Sequence, residues 1–103
     1  MTLVMKFGGT SVGSADAIRD TADLVKRYKE TWGQVVVVAS AMGSKPVKVT
    51  DLLLKGSQTA ASGDRETYKQ ILTQLRGIHF STIDELIDDA ENNTALKQRL
   101  KIF

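Results

Sequence analysis

The sequence has few of the residues that build cross-links and metal centres. It contains no cysteine, one histidine and one proline among 103 residues. Without cysteine there can be no disulfide and no thiolate metal site, and His79 alone cannot supply a histidine cluster for a metal ion. We therefore expect no resident metal site, and the 42% of hydrophobic residues can supply a modest core.

A strong charge of one sign and long apolar runs are missing too. Fourteen Lys and Arg stand against 12 Asp and Glu, for a net charge of +2, so nothing indicates a nucleic acid or a membrane surface as partner. No apolar run approaches the roughly 18 residues of a membrane span, and the N-terminus lacks the pattern of a signal peptide. We expect a soluble cytoplasmic protein of single-domain length.

Two short apolar runs flank an amphipathic segment at the start of the chain. Thr2–Phe7 and Gln34–Ala39 predict strands that are buried in a parallel sheet, the second because it carries four consecutive valines. Between them the spacing predicts a helix that starts at Ser14 and is stopped by Gly33. This order makes a βαβ unit and predicts an α/β fold with a parallel sheet.

The second half of the chain predicts helices only. Thr50 is expected to cap a helix that frays before Gly63, and Asp64 to cap the next one. Asn92–Asn93 is expected to break that helical pattern, with a last helix starting at Thr94. A loop, Ser44–Val49, precedes this half.

A pair of glycines, Gly8 and Gly9, follows the first strand. A glycine turn between a strand and a helix can offer backbone N–H groups to an anion, and Lys6 adds a positive charge beside it. A lysine is costly to bury unpaired in an apolar strand, so we expect Lys6 at a pocket mouth or near an anionic partner. The alternative is a tight turn without a ligand. Neither the Walker A nor the dinucleotide-binding glycine pattern is present.

A second turn, Ser40–Gly43, follows the second strand. Because parallel strands joined by a helix end on the same edge of the sheet, this turn is predicted to lie beside the glycine pair and to form a composite pocket with it. Taken singly, Ser40 can be only the end of a strand, Gly43 only a turn residue, and Thr50 only a helix cap.

Two blocks of sequence together resemble the aspartate kinases of the amino acid kinase family. The first is Lys6-Phe7-Gly8-Gly9-Thr10-Ser11-Val12; the second is Val36–Gly43, continued by Val49–Leu54. Their order and separation fit, and they span about half of the chain. The resemblance implies a three-layer αβα sandwich, of which residues 1–103 would be the N-terminal portion of the catalytic domain. The rest of the kinase domain and any ACT domains would then lie outside this chain.

The resemblance also implies a reaction and its participants. ATP would phosphorylate the side-chain carboxylate of L-aspartate to 4-phospho-L-aspartate, the first step toward lysine, threonine and methionine, with Mg²⁺ bridging the ATP phosphates. Lys6 would stabilise the transferring phosphoryl group, and Ser40 and Thr50 would bind aspartate. The residues implied to hold the nucleotide are Lys6, Phe7, Gly8, Gly9, Thr10 and Gly43. The full-length protein would be a homo-oligomer.

Two alternatives stay open from the sequence. The chain could belong to another amino acid kinase with a different acceptor, or to a noncatalytic binding or assembly module that keeps the glycine turn. Aspartate kinases are much longer than 103 residues, and their later substrate and nucleotide-base residues have no counterpart before Phe103. We therefore expect this chain to hold half of a phosphate site and to be inactive by itself.

Overall fold

The computed structural model describes residues 1–43 and 48–100. The chain divides into two compact units, Met1–Lys48 and Val49–Phe103, called here the first and second units. In the first unit, strand β1 is Thr2–Phe7, helix α1 is Ala15–Trp32 and strand β2 is Gln34–Ala39. In the second unit, helix α2 is Val49–Ala61, α3 is Arg65–Leu86 and α4 is Ala90–Arg99.

The first unit is the predicted βαβ arrangement. β1 and β2 pair in parallel, from Thr2 opposite Gln34 to Phe7 opposite Ala39. Ser14 caps α1 by accepting a hydrogen bond from the N–H of Ala17 at 3.2 Å. Gly33 ends the helix with a φ of 78°, a value that side chains disfavour. Both strands and the helix limits set by these two residues are therefore confirmed.

The strands are less buried than their apolar sequence predicts. In β1, Phe7 is buried and Leu3 and Met5 are half-buried, whereas Val4 is 64% exposed. In β2, each of Val36–Val38 is nearly half exposed. The expectation of burial on both faces is wrong for the described residues, because α1 is the single described helix of this unit and covers one face of the sheet.

A 3₁₀ turn, Gly9–Val12, separates β1 from α1 and was not predicted. The N–H of Ser11 donates to the carbonyl of Gly8 at 3.1 Å, and the N–H of Gly13 donates to Thr10 at 3.3 Å. Val12, at the end of the turn, is buried. The turn is thus anchored by an apolar side chain at its C-terminal end.

The second unit begins with α2, whose start corrects one prediction. The helix starts at Val49, so Thr50 is a residue of its first turn and not its cap, and Val49 is no loop residue. Burial of Val49 and Leu52 on one helical face accounts for this earlier start. The rest of the predicted loop, residues 44–47, lies outside the described residues.

Helix α2 ends before Gly63, the position before which the sequence predicts it to fray. It runs to Ala61, and the hydroxyls of Ser57 and Thr59 donate to the carbonyls of Leu54 and Gly56 at 2.9 and 3.0 Å. Small hydroxyl residues can satisfy helical carbonyls in this way. The helix therefore stays regular until just before Gly63.

The boundary between α3 and α4 differs from the prediction as well. Asp64 caps α3 as expected, accepting from the N–H of Thr67 at 3.1 Å. However, α3 ends at Leu86 and the predicted break, Asn92–Asn93, lies inside α4. The reason is a second aspartate cap, since Asp89 accepts from the N–H of Asn92 at 3.1 Å.

The core of the second unit lies between α2 and α3. The buried apolar side chains of these two helices are Val49, Leu52, Ile71, Leu75 and Ile83. Gly56 allows the close approach, because a Cβ at this position would lie 3.3 Å from Cγ2 of Ile71.

Candidate functional site

The two turns of the first unit meet at the carboxyl edge of the sheet. The N–H of Ser40 donates to the carbonyl of Phe7 at 3.0 Å, which extends the pairing of β1 and β2 by one residue. A Cβ placed on Gly9 would lie 3.8 Å from the carbonyl oxygen of Ala41. The predicted juxtaposition of the two turns is therefore confirmed.

The backbone at the glycine pair does not itself require glycine. Gly8 is extended, with φ −77° and ψ 177°, and the glycines with positive φ among the described residues are Gly33, Gly43 and Gly63. Among the described residues, a Cβ on Gly8 would meet no atom within 4 Å, and one on Gly9 only an ordinary contact. With respect to those residues the space above Gly8 is open, so a tight turn alone does not explain these two glycines.

The first residues of the turn have backbone donors that the turn itself does not use. A helical turn leaves the N–H groups of its first residues without a partner inside the helix, and here these belong to Gly9 and Thr10. The next N–H, that of Ser11, is already bound to Gly8. Adjacent backbone N–H groups in such a turn form a concave anion site.

Lys6 contributes a side chain with no partner among the described residues. It stands opposite Val38 in the register and is exposed, on the face of β1 that also carries the exposed Val4. No hydrogen bond or ion pair to a described residue engages its ammonium group. Exposure removes the cost of burying this charge and leaves it accessible to an anion.

The other predicted residues contribute differently. The ring of Phe7 is buried and its carbonyl pairs with Ser40, so any part it has in a ligand site is limited to its backbone. Ser40 is exposed, and Gly43 is half-buried with a φ of 89°. Thr50 belongs to the second unit and is exposed there, so its role at the site stays a prediction.

Sequence reasoning missed Thr21. This residue of α1 donates its hydroxyl to the carbonyl of Ser11 in the 3₁₀ turn at 2.7 Å. A threonine within an amphipathic helix carries no signal of such a contact, because its partner depends on a turn that the sequence pattern did not predict.

Carboxylates with shifted pKa values lie in the second unit. Hydrogen bonds from Thr67 lower the pKa of Asp64, and those from Lys97 and then Asn93 lower the pKa of Asp84. Within residues 1–43 and 48–100, no three His, Cys, Asp or Glu side chains gather into a group able to hold a metal ion. No helix in that part of the chain has the length and apolar character to cross a membrane.

Comparison with known proteins identifies the family. A model of the amino acid kinase family matches residues 1–100. The chain belongs to the amino acid kinase family. The predicted resemblance to aspartate kinases is confirmed by relatives of that name, and the α/β structure with its parallel sheet agrees with an N-terminal part of the family's fold.

Three of these relatives show the extent of the similarity. An aspartate kinase of Pseudomonas fluorescens is 42% identical over 64 residues, which are 62% of this chain and 14% of the relative. Aspartokinase 1, chloroplastic, of Arabidopsis thaliana is 38% identical over 88 residues, 84% of this chain and 14% of the relative. Aspartokinase 2 of Bacillus subtilis is 46% identical over 50 residues, 48% of this chain and 12% of the relative. The chain thus matches about one seventh of the length of the first two.

Proposed function

We propose that the protein carrying this chain transfers the γ-phosphoryl group of ATP to the side-chain carboxylate of L-aspartate. Its product would be 4-phospho-L-aspartate. Residues 1–103 would form the N-terminal portion of the catalytic domain, and most of the aspartate and nucleotide-base contacts would come from outside them. The family membership and the names of the relatives support this proposal.

One structural observation carries the proposal that the turn holds phosphate. Gly8 has a backbone conformation open to any residue, and no atom of the described residues occupies the space where a side chain would stand. Glycine at such a position has a reason if a ligand must approach the backbone closely. A phosphate held by the N–H groups of Gly9 and Thr10 would occupy that space.

The roles of the individual residues follow from charge and position. Lys6 would neutralise negative charge as the phosphoryl group moves, the N–H groups of Gly9 and Thr10 would hold its oxygens, and Gly8 would leave room for them. Gly43 would line the same pocket from the second turn, next to Ser40, which would contact aspartate. Thr50 is proposed for the aspartate side on the resemblance alone.

The proposed reaction needs few further functional groups from this chain. An aspartate carboxylate is ionised at neutral pH, so it can attack phosphorus without a general base, and the site needs mainly positioning and charge stabilisation. The backbone donors and the Lys6 ammonium suit the phosphates of ATP. Mg²⁺ would arrive on those phosphates and neutralise part of their charge.

The wider setting of the protein stays a prediction. We expect a homo-oligomer, with ATP and L-aspartate as substrates and neither nucleic acid nor membrane as partner. The cytoplasmic location expected from the sequence is likewise a proposal, since one of the relatives is named as chloroplastic.

Measurement of ADP release tests the proposed reaction. The complete gene product carrying this chain is incubated with Mg-ATP and, separately, L-aspartate, N-acetyl-L-glutamate or L-glutamate. Release with aspartate alone is the expected result. Release only with another acceptor would keep the phosphate site and discard aspartate. Nucleotide binding without any release would favour a binding module over a kinase.

A further inference from the structure

The hydroxyl of Thr21 ties α1 to the 3₁₀ turn. Its Oγ1 donates to the carbonyl of Ser11 at 2.7 Å from a half-buried position. The N–H of the same Ser11 donates to the carbonyl of Gly8 at 3.1 Å. Two hydrogen bonds at Ser11, one to its carbonyl and one from its N–H, therefore connect the middle of α1 with the first glycine of the turn.

This bond differs from those of other helical threonines in the chain. Thr73 and Thr82 donate to carbonyls four residues earlier in their own helix, at 3.0 Å in both cases. That is the usual local partner of a threonine in a helix. Thr21 instead donates to a residue ten positions away, in a separate element.

We propose that Thr21 is a positioning residue for the phosphate site, a role that rests on the proposed function. Val12 and Ala15 are buried and hold the C-terminal side of the turn, whereas Gly8 and Thr10 are exposed at its other side. The hydroxyl of Thr21 holds the carbonyl of Ser11, a residue that lies between these two sides of the turn. The N–H groups of Gly9 and Thr10 then keep one orientation before the nucleotide binds.

Preorganisation is the energetic reason why the hydrogen bond from Thr21 would matter for the phosphate site. Donors already oriented toward developing charge stabilise it without reorganising when the reaction occurs. Loss of the hydroxyl would leave the Ser11 carbonyl without this donor and let the turn tilt, so that nucleotide binding would carry the cost of reordering it. Loss of the hydroxyl should therefore weaken the binding of the nucleotide and leave the binding of the acceptor unchanged.

Steady-state kinetics of the complete gene product test the role with matched variants. Thr21→Val removes the hydroxyl and keeps the shape, and Thr21→Ser restores the hydroxyl. Thr82→Val removes an equally half-buried hydroxyl from α3. We expect Thr21→Val to raise the KM for Mg-ATP roughly five-fold, with an unchanged KM for aspartate. Thr21→Ser should retain most of the wild-type KM, and Thr82→Val all of it.

Amide hydrogen exchange provides a second measurement that does not depend on turnover. The N–H of Ser11 should exchange faster in Thr21→Val than in the wild type, and at the wild-type rate in Thr82→Val. Thr21→Ala is measured in the same way if the valine variant does not fold.

The possible outcomes distinguish a failure of the positioning role of Thr21 from a failure of the proposed function. If the wild type releases ADP and Thr21→Val leaves both the KM for ATP and the exchange of Ser11 unchanged, the positioning role is overturned and the kinase stands. If Thr82→Val changes the KM for Mg-ATP and the exchange of Ser11 by as much as Thr21→Val does, Thr21 contributes only to overall stability, and the positioning role is overturned. If the wild type neither binds ATP nor releases ADP, the function itself fails, and the role of Thr21 with it.

Discussion

At Gly8 and Gly33 the same residue type serves different purposes. A Cβ at either position would meet no atom of the part of the chain that the structure describes within 4 Å, but Gly33 has a φ of 78° whereas Gly8 is extended. We expect Gly8→Ala to keep or slightly raise the free energy of unfolding, because alanine restricts the unfolded chain. Gly33→Ala should lower it by at least about 1 kcal/mol through backbone strain. Chemical denaturation measures the free energy of unfolding of both variants. Equal losses would contradict the conclusion that the fold requires glycine at position 33 and not at position 8.

Lys6 is expected to matter for chemistry and not for folding. Its side chain is exposed and has no partner among the described residues. Lys6→Met should therefore leave the unfolding midpoint unchanged while lowering kcat in the complete gene product by about 10²- to 10³-fold, the usual loss for a donor that stabilises developing charge. Lys26→Met, at an exposed position on α1, is the control. Normal turnover by Lys6→Met would show that Lys6 is not a catalytic residue.

The sequence allowed some of these residues to be predicted and not others. Gly8, Gly9 and Lys6 could be found because a glycine pair and a charge interrupt an apolar run. Thr21 could not, since its partner Ser11 is reached only once the 3₁₀ turn brings its carbonyl to α1.

Among the elements, α1 depends on a single serine cap. Ser14 is exposed and its hydroxyl accepts the N–H of Ala17. Ser14→Ala should lower the free energy of unfolding by about 1 kcal/mol, whereas Ser14→Asp, which retains an acceptor, should lower it little. Urea denaturation measures the difference. Equal stability of the alanine variant and the wild type would show that the cap contributes nothing.

The contact between α3 and α4 should depend on pH through Asp84. Its carboxylate accepts hydrogen bonds from Lys97 at 2.6 Å and Asn93 at 3.0 Å, and the Lys97 bond is the main cause of its lowered pKa. Because the folded pKa lies below the ordinary value of 3.8, this stabilisation is present above that value. It is lost as the pH falls below 3.8 through the lowered pKa.

Asp84→Asn removes this acid-sensitive pair. The variant should be less stable than the wild type at neutral pH, and the difference should shrink on acidification below about pH 4. Thermal unfolding across that range is the measurement, with the exposed Asp88→Asn as control. A difference that stays constant with pH would show that the ionised carboxylate of Asp84 is not what joins the two helices.

Element boundaries were predictable where a cap residue coincided with a change of pattern. Ser14, Gly33 and Asp64 meet this condition, and their boundaries are correct. Asn92–Asn93 did not break the helix, because Asp89 supplies the cap and Asn93 donates to the carbonyl of Ile87. Local propensity alone does not reveal which of several polar residues provides the cap.

For the molecule as a whole, the fold class and family followed from the sequence, but the extent of burial did not. A run of valines predicts a buried strand because parallel sheets are usually covered on both faces. The periodicity of that run does not say which segment covers it, and Val36–Val38 remain nearly half exposed in this chain. The described sheet has two strands and therefore unpaired strand edges, which we expect to favour self-association of the isolated chain.

The most direct test of the account compares Gly8→Ala with the wild type in ATP-dependent turnover of the complete gene product. A methyl group at Gly8 would project into the space proposed for a phosphate and, apart from its chain neighbours, would have no atom of the described residues within 4 Å. We expect kcat/KM for Mg-ATP to fall at least about ten-fold, the scale of an overpacked contact, while the unfolding midpoint stays the same or rises slightly. Unchanged kinetics in a stably folded variant would contradict it, because the glycine turn would then not be where the phosphate binds.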